Sequence, residues 1–434
     1  MGRFKPFSTA PVPERAVLVG VELGRSVWPL EDSLAELGRL AETDGAEVVA
    51  TLTQRLDTPV PKTFIGKGKT EELVQLVRST QADVVIFDDE LTPSQQFNLE
   101  KIVGEPVKII DRTALILDIF GVHAKTHEGR LQVQIAQLQY LLPRLRGMWS
   151  HLVGEQTRGG IGSRFGQGES QLEVDRRLLR DRITTLRREL ERLDTRRAVQ
   201  SKARWDSGVY RVALVGYTNA GKSTLLNALT GSEVYAKDEL FATLDPTTRA
   251  LELDEGRKVT VTDTVGFIQK LPTMLVESFK STLAEVKAAD LILLVVDASD
   301  EAAQREIEAV REVLGQIDAN EISSVVVYNK CDLLDEEERR VLATTHPDAV
   351  LISAQDRWGL RGLLYRVAQE ASSEDVTMTV RIPYDKGLLM RMMHERCQVM
   401  RERYEQGGLV ATVKASKRMS ATLEPYRYED VDQD

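Results

Sequence analysis

The stretch Gly216-Tyr217-Thr218-Asn219-Ala220-Gly221-Lys222-Ser223, GYTNAGKS in one-letter code, decides how the chain folds around it. It fits the phosphate-loop pattern GxxxxGK[ST] at every fixed position. The apolar run VYRVALVGY before it reads as a strand, and KSTLLNALT after it reads as a helix. That strand-to-helix context is what makes the pattern meaningful, because a glycine-rich turn elsewhere is commonplace. Gly216 and Gly221 permit a tight turn and let backbone N–H groups reach phosphate oxygens. Lys222 supplies a cation to the β- and γ-phosphates, and the Ser223 hydroxyl suits a Mg²⁺ ion.

Three further motifs follow in order, each at the carboxyl end of an expected strand. Asp263-Thr264-Val265-Gly266 ends the run RKVTVT; Asp263 can hold Mg²⁺ through water, and the Gly266 amide can meet a γ-phosphate. Asn329-Lys330-Cys331-Asp332 closes ISSVVVY. The two carboxylate oxygens of Asp332 match the paired N–H donors on the guanine edge, a pair that adenine lacks. Asn329 and Lys330 would brace that loop and pack along the ring. Ser353-Ala354-Gln355 follows DAVLIS, where a backbone N–H could reach the guanine O6. Any one of these tetrapeptides is weak alone; four in this order specify a guanine-nucleotide site.

Between the first two motifs lies ELFATLDPTTR, residues 239–249, a threonine-rich polar loop placed to sense a γ-phosphate. Thr243 is the candidate second hydroxyl on Mg²⁺, with Thr247 and Thr248 as rivals. Phe267 stands where many nucleotide switches carry a glutamine that orients the attacking water. A phenyl ring cannot make those hydrogen bonds. Gln269 lies two residues on, but nothing in the sequence requires it, so no catalytic residue is assigned. FIGKGKTEEL, residues 64–73, imitates a second phosphate loop; the pattern needs a glycine at position 63, which is threonine. A structural or RNA-contacting turn is expected there.

At 434 residues the chain is too long for one ordinary core. Its 42% hydrophobic and 29% charged residues describe a globular protein, and two cysteines cannot build a disulfide framework. The start MGRFKPFSTAPVPERAVLVG has no sustained apolar run of leader length. The longest apolar run, LILLVV at 291–296, is far too short to span a bilayer. A cytoplasmic protein without a membrane span is therefore expected, and a monomer.

Residues 14–122 alternate apolar runs (RAVLVGVEL, AEVVATLTQ, ADVVIFDDE, PVKIID) with amphipathic ones, which predicts a small parallel βαβ sheet. Leu131, Ile135, Leu138 and Leu142, then Leu172, Leu179, Ile183, Leu186, Leu190 and Leu193, follow the spacing of helices packed along a seam. Flanking the glycine-rich loop 143–170, they suggest an antiparallel helical hairpin. From Arg144 to Arg204 there are 15 Lys+Arg against 8 Asp+Glu, a balance of +7. The whole chain is −10, so the remainder carries −17. That segregation points to a phosphate-bearing partner. The tail from Val376 reads strand, helix, strand, strand, with no catalytic motif.

The fold class is thus α/β multidomain, with expected boundaries at 1–122 (amino-terminal α/β domain), 123–205 (helical hairpin), 206–372 (P-loop GTPase domain with a doubly wound sheet) and 373–434 (small α+β domain). Beyond the four shared motifs, FIGKGKTEEL, FDDELTPSQQFNLE, DRTALILDIF, LQVQIAQLQYLLPRL, GGIGSR, ESQLEVDRR, FATLDPTTR and DTVGFIQKLP together resemble the HflX family of ribosome-associated GTPases over nearly the whole length. The resemblance implies a GTPase that uses GTP and Mg²⁺, binds the large ribosomal subunit and its RNA, and helps separate stalled or stress-damaged ribosomes. It also implies that Phe241, Ala242, Thr243, Leu244 and Asp245 bind nucleotide, with Thr243 and Ser223 on the metal. The hairpin tip would reach toward the peptidyl-transferase region. One departure is RFGQGES, where the family has a shorter arginine-glycine-proline-glycine-glutamate turn. An ATP-dependent RNA-remodelling enzyme is disfavoured by NKCD, and a purely structural RNA-binding protein would not turn over GTP.

Overall fold

The computed structural model describes residues 13–24, 28–145, 165–205, 209–231, 240–241, 246–253, 257–270, 280–373 and 375–428. The chain divides into two units: residues 1–190 with 269–278, and residues 191–268 with 279–434.

In the first unit, β1 (Glu14–Leu23), β2 (Ala46–Leu56), β3 (Val84–Phe87) and β4 (Lys108–Asp111) form a parallel sheet in the order β2-β1-β3-β4. Helices Leu30–Thr43, Lys67–Thr80 and Pro93–Val103 connect them, as the alternation of patterns predicts. Val17, Val19, Leu73, Val85, Phe87 and Leu99 are core residues of this unit. Thr92 and Gln95 form a reciprocal capping box ahead of Pro93, which fixes where that helix begins. The GKGKT stretch starts a helix structurally: Thr70 Oγ1 donates to the Gly66 carbonyl, and Gln54 Oε1 accepts from the Gly66 N–H.

Helix His127–Leu141 is followed by the helix Phe165–Trp205, and His127 Nε2, at the start of the first, lies 3.0 Å from Glu189 Oε1, midway along the second. The second helix begins at Phe165, inside the stretch expected to be loop. RFGQGES thus enters the helix from its phenylalanine onward, its two glycines notwithstanding. The rest of the expected glycine-rich tip, including Trp149, Arg158, Gly159, Gly160, Gly162 and Arg164, lies outside the described residues.

The second unit carries a six-stranded sheet built from β5 (Tyr210–Gly216), β6 (Thr247–Glu252), β7 (Lys258–Asp263), β8 (Leu291–Asp297), β9 (Ser323–Asn329) and β10 (Val350–Leu351). Its order is β10-β9-β8-β5-β7-β6, parallel except for the antiparallel edge strand β6. Strands β5 and β8 are apolar almost throughout because helices cover both faces of a doubly wound sheet. A three-stranded antiparallel sheet follows, of β11 (Val376–Ile382), β12 (Gln398–Glu405) and β13 (Gly408–Ala415) in the order β11-β13-β12. Its core is Met378, Val380, Met393, Leu409, Val413 and Leu423. Sequence pattern missed the last helix, Lys417–Leu423, whose Ser416 cap accepts from the Met419 N–H. Seven residues are too few for a clear 3.6-residue period. Among the described residues no helix is long and apolar enough to cross a membrane.

Candidate nucleotide site

The first motif connects β5 to the helix Lys222–Thr230, as expected. Asn219 and Gly221 are both left-handed, with φ of 60° and 87°, so the loop curls back on itself and its N–H groups turn inward. Gly216 has no room for a side chain: a Cβ there would lie 2.1 Å from the Val295 carbonyl oxygen of β8.

The side chain of Asn329 joins three of the motifs. Its Nδ2 donates to the Ala220 carbonyl at 2.9 Å, and its Oδ1 accepts from the Ala354 N–H at 2.9 Å. One buried amide therefore ties the phosphate loop to the NKCD and SAQ loops. Lys330, left-handed at φ 61°, pairs through Nζ with Asp297 Oδ2 at 2.7 Å. Sequence reasoning does not single out Asp297; the signal available was an acidic residue ending the apolar strand LILLVVD. The Cys331 N–H donates to the Ile352 carbonyl, and Cys331 itself is fully buried. Asp332, next to it on a single 3-10 turn, is exposed. Ser353 is buried and its Oγ accepts from the Asp356 N–H, shaping the turn that carries Ala354 and Gln355.

DTVG lies at the end of β7 against the phosphate loop. The Phe267 N–H donates to the Gly216 carbonyl at 3.1 Å, and the Thr218 N–H donates to the Phe267 carbonyl at 2.8 Å. Thr264 Oγ1 donates to the Leu214 carbonyl at 2.7 Å, while Gly266 passes so close that a Cβ would sit 2.9 Å from Thr218 Cα. Val265 lies between them. Phe267 is buried. Gln269, the fallback, is also buried and belongs with the amino-terminal unit.

Ser223 Oγ donates to Asp263 Oδ2 at 2.6 Å. A hydroxyl and a carboxylate converging at the mouth of a phosphate loop are the donors with which Mg²⁺, phosphate oxygens and water complete an octahedron. Leu240 and Phe241 are buried; Ala242, Thr243, Leu244 and Asp245 lie outside the described residues. The two rivals for the metal are placed: Thr247 pairs with Asp263 and Thr248 with Thr262 across the β6–β7 ladder. The Thr248 hydroxyl is engaged by that of Thr262 at 2.9 Å.

Lys222 is buried, with Nζ donating to the Gly216 and Tyr217 carbonyls at 3.1 and 2.6 Å. Burial pushes its ammonium down from 10.5 to about 8, against partial support from Asp263 and Glu306. Holding that charge in the fold costs stability below pH 8, a cost relieved as pH rises from 8 toward 10.5. Phosphates favour the charged form, so nucleotide binding above pH 8 must take up a proton. GTP affinity should be level below pH 8 and fall about tenfold per unit above it. Calorimetry at pH 8.5 in two buffers of different ionisation enthalpy should report uptake of most of one proton. No uptake would show that the free lysine is already charged at that pH.

Family models match the chain in three consecutive blocks: "GTP-binding GTPase N-terminal" over residues 31–121, "GTP-binding GTPase Middle Region" over 123–204 and "50S ribosome-binding GTPase" over 211–330. The GTPase HflX of Caldanaerobacter subterraneus is 47% identical, with the match covering 93% of this chain and 90% of that one. This chain belongs to the GTPase HflX family. The GTPase HflX of Escherichia coli is 44% identical, covering 92% of each chain. A GTP-binding protein from Sulfolobus solfataricus in complex with GDP matches in structure at a TM-score of 0.43 and 23% identity, over 83% of this chain and 99% of that one. Like other members of the HflX family, this protein is a GTPase, and the P-loop domain of the second unit carries its nucleotide chemistry.

Proposed function

We propose that this GTPase binds the large ribosomal subunit through its RNA and promotes dissociation or rescue of stalled or stress-damaged ribosomes, with GTP hydrolysis as the release switch. The observation that carries this reading is the membership of the HflX family, joined to the +7 balance of residues 144–204 in a chain of net −10. A basic segment of that kind suits a phosphate backbone. The protein acts as a monomer in the cytoplasm.

In this reading residues 216–223 cradle the phosphates and Asp332 selects guanine, with Lys330 alongside the ring and the Ala354 and Gln355 backbone near its O6. Ser223 and Thr243 hold Mg²⁺, which neutralises charge developing on the β- and γ-phosphates. Asp263 orients a metal-bound water, and the Gly266 N–H reads the γ-phosphate. Residues 241–245 order around GTP and loosen after hydrolysis. Because Phe267 cannot orient water, turnover by the free protein is slow, and the subunit accelerates it by reshaping the loops on either side of the γ-phosphate.

The test is GTP turnover, subunit pelleting and light-scattering dissociation, for the intact chain and for one with residues 157–168 replaced by a short neutral linker. The intact protein should bind purified large subunits steeply less well at higher salt, and its turnover should rise on binding. The replaced chain should lose binding or splitting while keeping its GTP affinity. Fast turnover unchanged by subunits, or unchanged binding and splitting by the replaced chain, would sink this reading.

A further inference from the structure

The carboxy-terminal sheet has two unlike faces. One is apolar and covered: Met378, Val380 and Ile382 of β11, Leu409, Ala411 and Val413 of β13 and the partly buried Val399 of β12 pack with Met393, Met419 and Leu423. Strand pairing places on the other face three rungs that run across all three strands. The first is Arg381, Val410 and Arg403; the second Thr379, Thr412 and Arg401; the third Thr377, Lys414 and Gln398. The hydroxyls of Thr379 and Thr412 lie 3.0 Å apart, as residues sharing a face do. Val410 alone among these nine side chains is apolar, and it is buried.

A bulge keeps the far end of this face polar. Val399 pairs with Val413 and Arg401 with Thr412, so Met400 is the extra residue and the alternation shifts by one. Arg401 and Arg403 share the open face by regular alternation from the hairpin; beyond Met400 the bulge turns Val399 to the covered face and Gln398 to the open one beside Lys414.

The face carries four cations, Arg381, Arg401, Arg403 and Lys414, against one carboxylate. Glu405 accepts from Arg403 Nε at 2.7 Å and also pairs with Arg381. Arg381 is further fixed over the Tyr428 ring, its Cζ 4.7 Å from the centroid. No carboxylate among the described residues lies within ion-pair distance of Arg401 or Lys414. A sheet face covered by a protein partner would be expected to show apolar side chains; this one shows cations and hydroxyls spaced by the regular ladder, about 6.8 Å along a strand and 4.8 Å between strands. Such an array complements a repeating line of negative charge.

We propose that this open face of β11, β13 and β12 is a second RNA-docking surface, gripping the phosphodiester backbone through Arg401, Arg403 and Lys414. It deepens and rests on the ribosomal reading above, and it is separate in sequence from the basic segment 144–204. Arg381 and Glu405 are positioning residues that hold the Arg403 guanidinium in place.

The test is fluorescence anisotropy of a fluorescein-labelled 20-nucleotide single-stranded RNA with the full chain, the double variant Arg401→Ala/Lys414→Ala and the charge-reversed Arg401→Glu/Lys414→Glu. Each is measured at several salt concentrations, and again with residues 157–168 replaced, which removes Arg158 and Arg164 from the other basic segment. Neither side chain packs in the core, and GTP turnover reports that each variant is folded. Loss of two phosphate contacts should make the slope of log affinity against log salt shallower by about 1.4. Affinity at low salt should fall about tenfold, and further on charge reversal. Unchanged affinity and slope in both backgrounds would overturn the proposal, as would equal competition by poly-glutamate of matched charge, which would assign the face to acidic protein segments. Pelleting with purified large subunits separates this from the parent reading. Intact protein that binds RNA through this face but does not sediment with subunits overturns the ribosomal reading and leaves the face standing.

Discussion

Asp332→Asn weakens GTP binding by roughly 2–4 kcal/mol, about 30- to 1000-fold, and improves binding of xanthosine triphosphate. The carboxylate can accept from two guanine N–H groups at once; an amide in its place accepts one and turns a donor toward the other. Xanthine carries a carbonyl where guanine has its exocyclic amine, so the amide donor gains a partner. The substitution is nearly isosteric and exposed, and the loop is held by other groups: Lys330 by Asp297, the Cys331 N–H by the Ile352 carbonyl, and Asn329 by the phosphate and SAQ loops. Thermal stability should therefore stay within about 0.5 kcal/mol of the parent. Competition of GTP, ATP and xanthosine triphosphate against a fluorescent guanine nucleotide measures the effect. ATP binding as tightly as GTP to the unsubstituted protein would remove Asp332 from the role of base selector.

Gly216→Ala should have the largest effect on the fold itself. The added methyl would lie 2.1 Å from the Val295 carbonyl oxygen and 3.1 Å from its carbon, both backbone atoms of the adjacent central strand. A flexible side chain could move aside; a strand paired on both edges cannot without losing ladder hydrogen bonds. The Gly216 carbonyl also accepts from Phe267 and Lys222, so any shift at this point is felt by DTVG and the phosphate loop together. A loss of about 3–4 kcal/mol is expected, with nucleotide affinity falling alongside it. Denaturant unfolding followed by tryptophan fluorescence provides the measurement. A variant as stable as the parent would mean that β5 and β8 are less closely apposed there than the ladder requires. By contrast, Gly362→Ala, where an added methyl meets nothing within 4 Å, should be neutral or slightly stabilising.

Most strands and helices of the two parallel sheets were legible because their information is local; the edge strand β6 was not, its Thr247, Thr248 and Arg249 falling in the stretch expected to be loop. Runs such as ADVVIFDDE and LILLVV read as buried strands and SQQFNLEKIV as a helix from the residues within each stretch, and the structure has them so. The phosphate loop was legible for the same reason: Gly221 is left-handed and Gly216 touches a neighbouring strand's backbone, so glycine is demanded at fixed spacing. What local pattern cannot carry is which distant groups meet. Arg112, Glu36 and Asp88 look like ordinary helix and loop charges, yet all three are buried together, and Lys270 pairs with Asp88 and Asp89 at 2.6 Å each. Burial alone would raise the Asp88 carboxyl, but Arg112 and Lys270 together hold it below the usual range. Asn329 reads from sequence as a brace for its own loop; the structure shows it spanning 109 residues back to Ala220 and 25 forward to Ala354. Tertiary structure alone also decided the bulge that turns Val399 inward and Gln398 outward, since strand register depends on a partner strand and not on the residues of β12. Sequence by itself determined the elements and the chemistry each motif offers. Only folding decided the pairings, because a buried charge or amide is tolerable solely where another segment brings its partner, and that meeting is encoded in no single stretch.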